Sequence, residues 1–370
     1  MRSVLSRFVL GVLVVAGSAG PCAAQGAGSA PISPPPAAGT SFLLGPPPGD
    51  GPVVVRAHFH LRDINEIDDQ AETFEFEGVM TLTWRDERQA FDPAEAGVDE
   101  KVFQGGYQFN EVSTGWFPQV VLVNGSGSYE KYGVVLRVRP DGTSTLIETI
   151  AAVAEADLDL RRYPFDRQRL EAVFEVLGFD EDEVVLQAES EGANSGDHAD
   201  WPILLPQWTL ESVGMSSRDR HVPYAGSRGV AAAFVVSMDM RRASFFMVRL
   251  VVIPLVLMVM LSWSVFWMDR SSLGDRISVS FIGILTAVAY QLVVGEVLPD
   301  ISYVTLMNGF LNLSLLIMCA TVGINLVVGS LDRRGKADVG DRVDHRCRWI
   351  FPLVYLGLLA VFVLVTVTFF

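Results

Sequence analysis

The chain has 370 residues, half of them apolar and 19% charged, with a formal net charge of −15. Those values exclude a disordered chain, and the charged share falls short of the quarter usual in soluble domains. An acidic surface also excludes nucleic acid as a partner, because binding phosphate takes clustered lysine and arginine.

The charge is unevenly spread. Asp50 to Ala243 holds 17 basic and 35 acidic residues, whereas Ser244 to Phe370 holds 9 and 8. An acidic first half and a near-neutral apolar second half predict two solvents, water and lipid. Residues 1–24 read as a signal peptide: Arg2 and Arg7 flank the start, Phe8–Ala16 is a short apolar run, and Cys22, Ala23 and Ala24 suit cleavage. The run is too short to be a span, which takes about 20 apolar residues. Residues 25–51, rich in Gly, Ser and Pro, read as a flexible leader. Only Cys319 and Cys347 remain beyond Cys22, so the exported part is expected to stand on its core without a disulfide.

Residues 52–243 form the expected exported domain. Val53–Val55, Thr73–Phe76, Val79–Trp84, Val134–Val138 and Ala232–Met238 read as strands, and Pro140, Asp141 and Gly142 as a hairpin turn. Many short strands predict an all-β, immunoglobulin-like sandwich. There is no CxxC, HExxH, glycine-rich phosphate loop or GxSxG, so neither an enzyme nor a cofactor is expected. His58 and His60, two apart on a strand, read as an exposed face, and no metal site is expected.

Residues 244–370 form the expected membrane domain. The runs 250–268, 277–295, 301–331 and 349–370 carry no charge, and spans are expected at about 245–268, 277–295, 303–330 and 349–370. Six basic residues lie in the intervening segment 332–348, expected as a short loop, and none in 296–302. The positive-inside rule puts 332–348 in the cytoplasm and leaves the sandwich and the C-terminus outside. Trp263, Trp267 and Trp349 then fall at the cytoplasmic boundary.

Specific motifs sit on this layout. The run from Leu158 to Gln168, with Arg161-Arg162-Tyr163-Pro164-Phe165-Asp166 at its centre, resembles the signature loop of pentameric ligand-gated ion channels, the Cys-loop receptor family. Trp84 to Arg88, Trp116-Phe117-Pro118, Arg242 and Pro254 are similar to further family motifs, in order. The cysteines that animal members carry seven residues either side of the loop tyrosine are here Ala156 and Leu170, as in the bacterial branch. The resemblance implies a homopentamer of a β-sandwich on a four-helix bundle, in a bacterial inner membrane with the sandwich in the periplasm. Its partners would be four further copies, membrane lipid and permeating monovalent cations. The second span would line the pore.

At about 100° per residue, Ser278, Ile282, Leu285, Ala289, Leu292 and Glu296 fall on one stripe of that span, and Asp275 lies near its edge. The other faces are apolar too, so the resemblance, not the periodicity, selects the pore face. Rings of Asp275 and Glu296 would attract cations at the two mouths. Gly274-Asp275-Arg276 looks like the Gly-Glu-Lys of cation-selective members and not like the Pro-Ala-Arg of anion channels. Asp275 also suits a helix N-terminus as a cap, and both roles are open to it. Leu285 holds the place of the central pore leucine, an apolar constriction that stops ions by shedding water.

For gating, Asp69, Tyr163, Pro164, Phe165, Asp166, Arg242 and Pro299 match positions at the junction of sandwich and pore. A static structural pairing is the alternative there. For the stimulus, Phe179 and Tyr224 lie in the expected agonist loops. Val121 and Leu177 replace the carboxylates of amine-gated relatives. The stretch 68–74 resembles proton-gated members, with Asp63 and Glu72 on acidic positions, and crowded carboxylates gain by taking up protons. Against that, their pore-helix histidine is Ala287 here. Protons are the favoured stimulus, a small organic ligand at the subunit interface is the alternative, and a pore-less sensory receptor is the alternative from another class.

Overall fold

The computed structural model describes residues 45–370 apart from 114, 190–204, 225–228, 269–272, 297–301 and 370. The expected signal peptide, most of the leader, and Pro299 lie outside the described residues.

Ten strands make the first half: β1 (Val53–Asp68), β2 (Thr73–Arg85), β3 (Lys101–Gln104), β4 (Val120–Leu122), β5 (Gly125–Val138), β6 (Thr143–Glu155), β7 (Arg167–Val176), β8 (Val184–Ala188), β9 (Trp208–His221) and β10 (Val230–Arg242). Burial alternates residue by residue along β2 and β6, as a strand with one wet face requires. The runs expected as separate strands around Phe76 and Val79 are one strand, because Gly78 keeps the pairing continuous. A Cβ on Gly78 would meet the Phe59 ring at 2.3 Å.

The sheet order is β3-β5-β6-β2-β1-β8-β10-β7-β4, with β9 on the free side of β10. One bridge, Ala232 with Val185, joins β10 to β8 and so links the two layers of the sandwich. Phenylalanines fill the space between. Phe59 of β1 lies 5.9 Å from Phe76 of β2 and 5.8 Å from Phe174 of β7, and Phe174 lies 6.3 Å from Phe234 of β10. Each buried ring contributes roughly 2–3 kcal/mol, enough to hold the layers without a disulfide. Gly142 closes the β5–β6 hairpin at φ 80°, as the turn residues predict.

Four helices follow: α1 (Phe245–Trp267), α2 (Leu273–Gly295), α3 (Leu306–Arg333) and α4 (Ala337–Phe369). The first three are long and apolar enough to cross a membrane. Pro254 leaves α1 without one backbone donor, and the carbonyl four residues earlier, Leu250, accepts a hydrogen bond from the Tyr290 hydroxyl of α2 instead. α3 is the hub: Thr321 bonds Ser262 of α1, Asn325 bonds Ser280 of α2, and Ser314 bonds Tyr355 of α4.

One expectation needs correction. Segment 332–348 is not a loop. α3 ends at Arg333, Gly335 turns the chain at φ 74°, and α4 begins at Ala337. Gly340, Asp344 and Cys347 recur at helical spacing on a buried face, so the charges mark the outer face of a helix. Trp267 and Trp349 are exposed, and Trp263 packs edge-on against Tyr355 at 5.6 Å.

Candidate functional site

On α2 the buried residues are Arg276, Ser280, Ala287 and Val294, which share one stripe at helical spacing. The stripe of Asp275, Ser278, Ile282, Leu285, Ala289, Leu292 and Glu296 lies about 180° away and is exposed along its whole length, Leu285 and Leu292 by more than two thirds. Thus the bundle covers the back of α2 and leaves this front bare. Asp275 stands in the first helical turn and Glu296 follows the last. An apolar stripe this long does not stay uncovered by protein or lipid.

The second constellation lies where the sandwich meets the helices. Arg242 ends β10, opposite Trp208 of β9. Its Nη1 and Nη2 donate to Asp69 at 2.8 and 2.9 Å, and its Nε donates to Asp166 at 2.9 Å. The guanidinium also stacks 4.0 Å from the Trp208 ring and 4.7 Å from Tyr163. Burial opposes its charge, yet the bonds to Asp69 and Asp166 prevail and hold the group more firmly protonated than usual. Burial pushes the Tyr163 hydroxyl up to about 12. Asp69 sits in the β1–β2 turn and Asp166 in the signature loop before β7, so three segments distant in sequence share one cation.

The same loop reaches the helices. Ser244, at the foot of α1, donates to the Pro164 carbonyl at 2.6 Å. Tyr303, ahead of α3, donates to the Leu158 carbonyl and accepts from the Leu160 amide. The Leu306 amide donates to the Arg161 carbonyl at 2.9 Å. Phe165 is exposed and takes no part in the charged cluster. Asp69, Tyr163, Asp166 and Arg242 come together as one group. Trp208, which motif reading passed over, completes it and is picked out only by its register against Arg242, whereas Tyr303 bonds the signature-loop backbone at Leu158 and Leu160 instead.

The expected stimulus residues do not converge. Phe179 packs edge-on against Trp116 at 6.3 Å. Tyr224 instead donates to Glu175 on β7, a carboxylate only 1% exposed that also accepts from Arg220 at 3.1 Å. That bond raises the Tyr224 hydroxyl pKa. Glu175 stands directly across from Val121 in the β4–β7 register, and sequence reading missed it. Asp63 lies at a register shift in β1 and caps the Ile64 amide. Glu72, at φ 53°, faces an open cavity of about 810 Å³ with Glu155, Asp157, Glu171 and Arg169. His60 is exposed and His58 half-buried. Among the described residues, no three His, Cys, Asp or Glu side chains converge to hold a metal.

Known proteins resemble this arrangement in both halves. Residues 43–244 match the neurotransmitter-gated ion-channel ligand binding domain, and residues 251–338 match the neurotransmitter-gated ion-channel transmembrane region. The chain is 26% identical over 323 residues to the proton-gated ion channel of Gloeobacter violaceus, covering 87% of this chain and 86% of that protein. It is 27% identical over 287 residues to the human gamma-aminobutyric acid receptor subunit rho-3, covering 76% of this chain but 59% of that subunit. Two matches in the order of sandwich and helices, together spanning most of the sequence, place this chain in the neurotransmitter-gated, or Cys-loop, family of ligand-gated ion channels.

Proposed function

We propose that five copies of this chain surround a central pore lined by the front of α2, and that the channel passes cations and opens in acid. The bare stripe on α2 carries this reading: five such stripes facing one axis cover one another, and each ends in a carboxylate. Rings of Asp275 and Glu296 at the two mouths favour cations, and Ile282, Leu285 and Leu292 between them close the path by excluding water. The sandwich stands in the periplasm of a bacterial inner membrane, with 334–336 and the first turns of α4 in the cytoplasm, as the basic residues there favour.

Acid as stimulus is supported by the similarity to a proton-gated channel over most of both chains, and by the carboxylates gathered around the Glu72 cavity. The signal reaches the pore through Arg242 and the signature loop, which bonds to Ser244, Tyr303 and Leu306. Recording whole-cell current while external pH is stepped from neutral to about 4 tests the stimulus. Inward cation current that grows with acidity is the expected result, and silence across the range overturns it.

A second reading keeps a small organic ligand at the subunit interface. Tyr224 on the expected agonist loop is exposed and offers a ring face to a cation, whereas Glu175 behind it is buried and already paired with Arg220. A panel of small amines applied at neutral pH separates the two stimuli.

A further inference from the structure

Arg276 follows Asp275 in the sequence, and in five copies its charge would cancel the ring of carboxylates at the cytoplasmic mouth. The fold turns it away. Its Nη1 and Nη2 donate to the two carboxylate oxygens of Asp344 at 2.9 and 3.0 Å, with the side chains 1% and 5% exposed. Its Nε is buried with no partner among the described residues, so the hold on the guanidinium rests on Asp344. Asp344 comes from α4, from the segment that the sequence suggested was loop. Only because residues 337–348 are helical does this carboxylate reach the base of α2.

We infer that Asp344 is a specificity-determining, positioning residue for ion selection: it holds Arg276 behind the pore wall and cancels its charge, leaving Asp275 to set the field at the mouth. The inference rests on the cation-selective reading above. The charge arithmetic is simple. Asp275, Arg276 and Asp344 together carry −1 per subunit, and without the Asp344 charge they carry zero. A fixed ring that loses its net charge no longer discriminates by sign. A freed arginine also swings toward water, and the water nearest it fills the mouth.

The test is the reversal potential under a sodium chloride gradient, in a Leu285→Ser background whose wetted constriction passes current without a stimulus. In Asp344→Asn the sodium-over-chloride permeability ratio falls by roughly tenfold, while Asp344→Glu retains it and Arg276→Gln/Asp344→Asn recovers it. A merely structural pair would lower assembly, read by size-exclusion chromatography, without moving the ratio. If Asp344→Asn does not assemble, the double variant decides alone: an unchanged ratio supports cancellation, and a raised ratio shows that the Arg276 charge already acts on the pore and overturns it. A chloride-selective Leu285→Ser parent overturns the cation reading, and this inference with it. A cation-selective parent whose ratio Asp344→Asn leaves unmoved overturns this inference alone.

Discussion

Arg242 shows how much one residue can be asked to join. Its two carboxylate partners come from the β1–β2 turn and the signature loop, and all three side chains are largely out of water. Removing either partner leaves charge with poorer compensation, so the two aspartates are not equivalent to surface pairs. Asp69→Asn keeps the shape and loses one charge-assisted bond. It should move the half-activation pH by about 0.5–1 unit, which corresponds to roughly 1 kcal/mol, while surface labelling stays at wild-type level. Unchanged activation would leave the cluster a static brace. Asp86 offers a pH test of stability alone. Burial opposes its ionisation, but Arg88, donating from Nε and Nη2 at 2.8 Å, outweighs that and holds the carboxyl below its ordinary 3.8. A depressed native pKa stabilises above about pH 4 and loses its effect as pH falls through the native value. Asp86→Asn should therefore cost about 1–3 kcal/mol at pH 7, and thermal melts should show the gap to wild type closing below pH 4. The motif residues at this scale were legible because their spacing is local. Trp208 and Glu175 were not, since their partners Arg242 and Tyr224 lie 34 and 49 positions away and only strand register or loop packing supplies them.

The elements were legible where one face is wet. Alternation marks β2 and β6, and uncharged runs mark the three helices long and apolar enough to cross a membrane to within a few residues. The first turns of α4 were hidden for the opposite reason. Their exposed face carries arginines and aspartates that read as a loop, and the buried face spends its positions on Gly340, Asp344 and Cys347, none of which looks like core. Helix contacts at this level are close enough to be tested by volume. Gly329 of α3 faces Leu273 at the base of α2, where a Cβ would approach to 2.5 Å. The tip of a leucine yields to a methyl but not to a second leucine. Gly329→Ala should melt near wild type, and Gly329→Leu should lose roughly 1–3 kcal/mol and the assembled species on size exclusion.

At the scale of the whole molecule, the family and its order of domains were legible from a dozen motif residues, whereas the face of α2 that is free was not. Periodicity left every face of that helix apolar, and only the packing of Arg276, Ser280, Ala287 and Val294 against its neighbours picks out the bare side. Five bare sides meeting on an axis make a firm expectation: the purified protein in lipid should have five times the chain mass, and Asp275→Ala should lower sodium-over-chloride permeability by about tenfold. A monomer, or an unaltered ratio, would remove the pore. The proline in α1 bears on how such a pore widens. Because Tyr290 donates to the carbonyl four residues before Pro254, α2 cannot swivel by itself near its C-terminal end without stranding a naked dipole in oil. In the proposed pore the two rods would therefore travel as a yoked pair, and dilation would be a tilt of paired staves and not a twist of single ones.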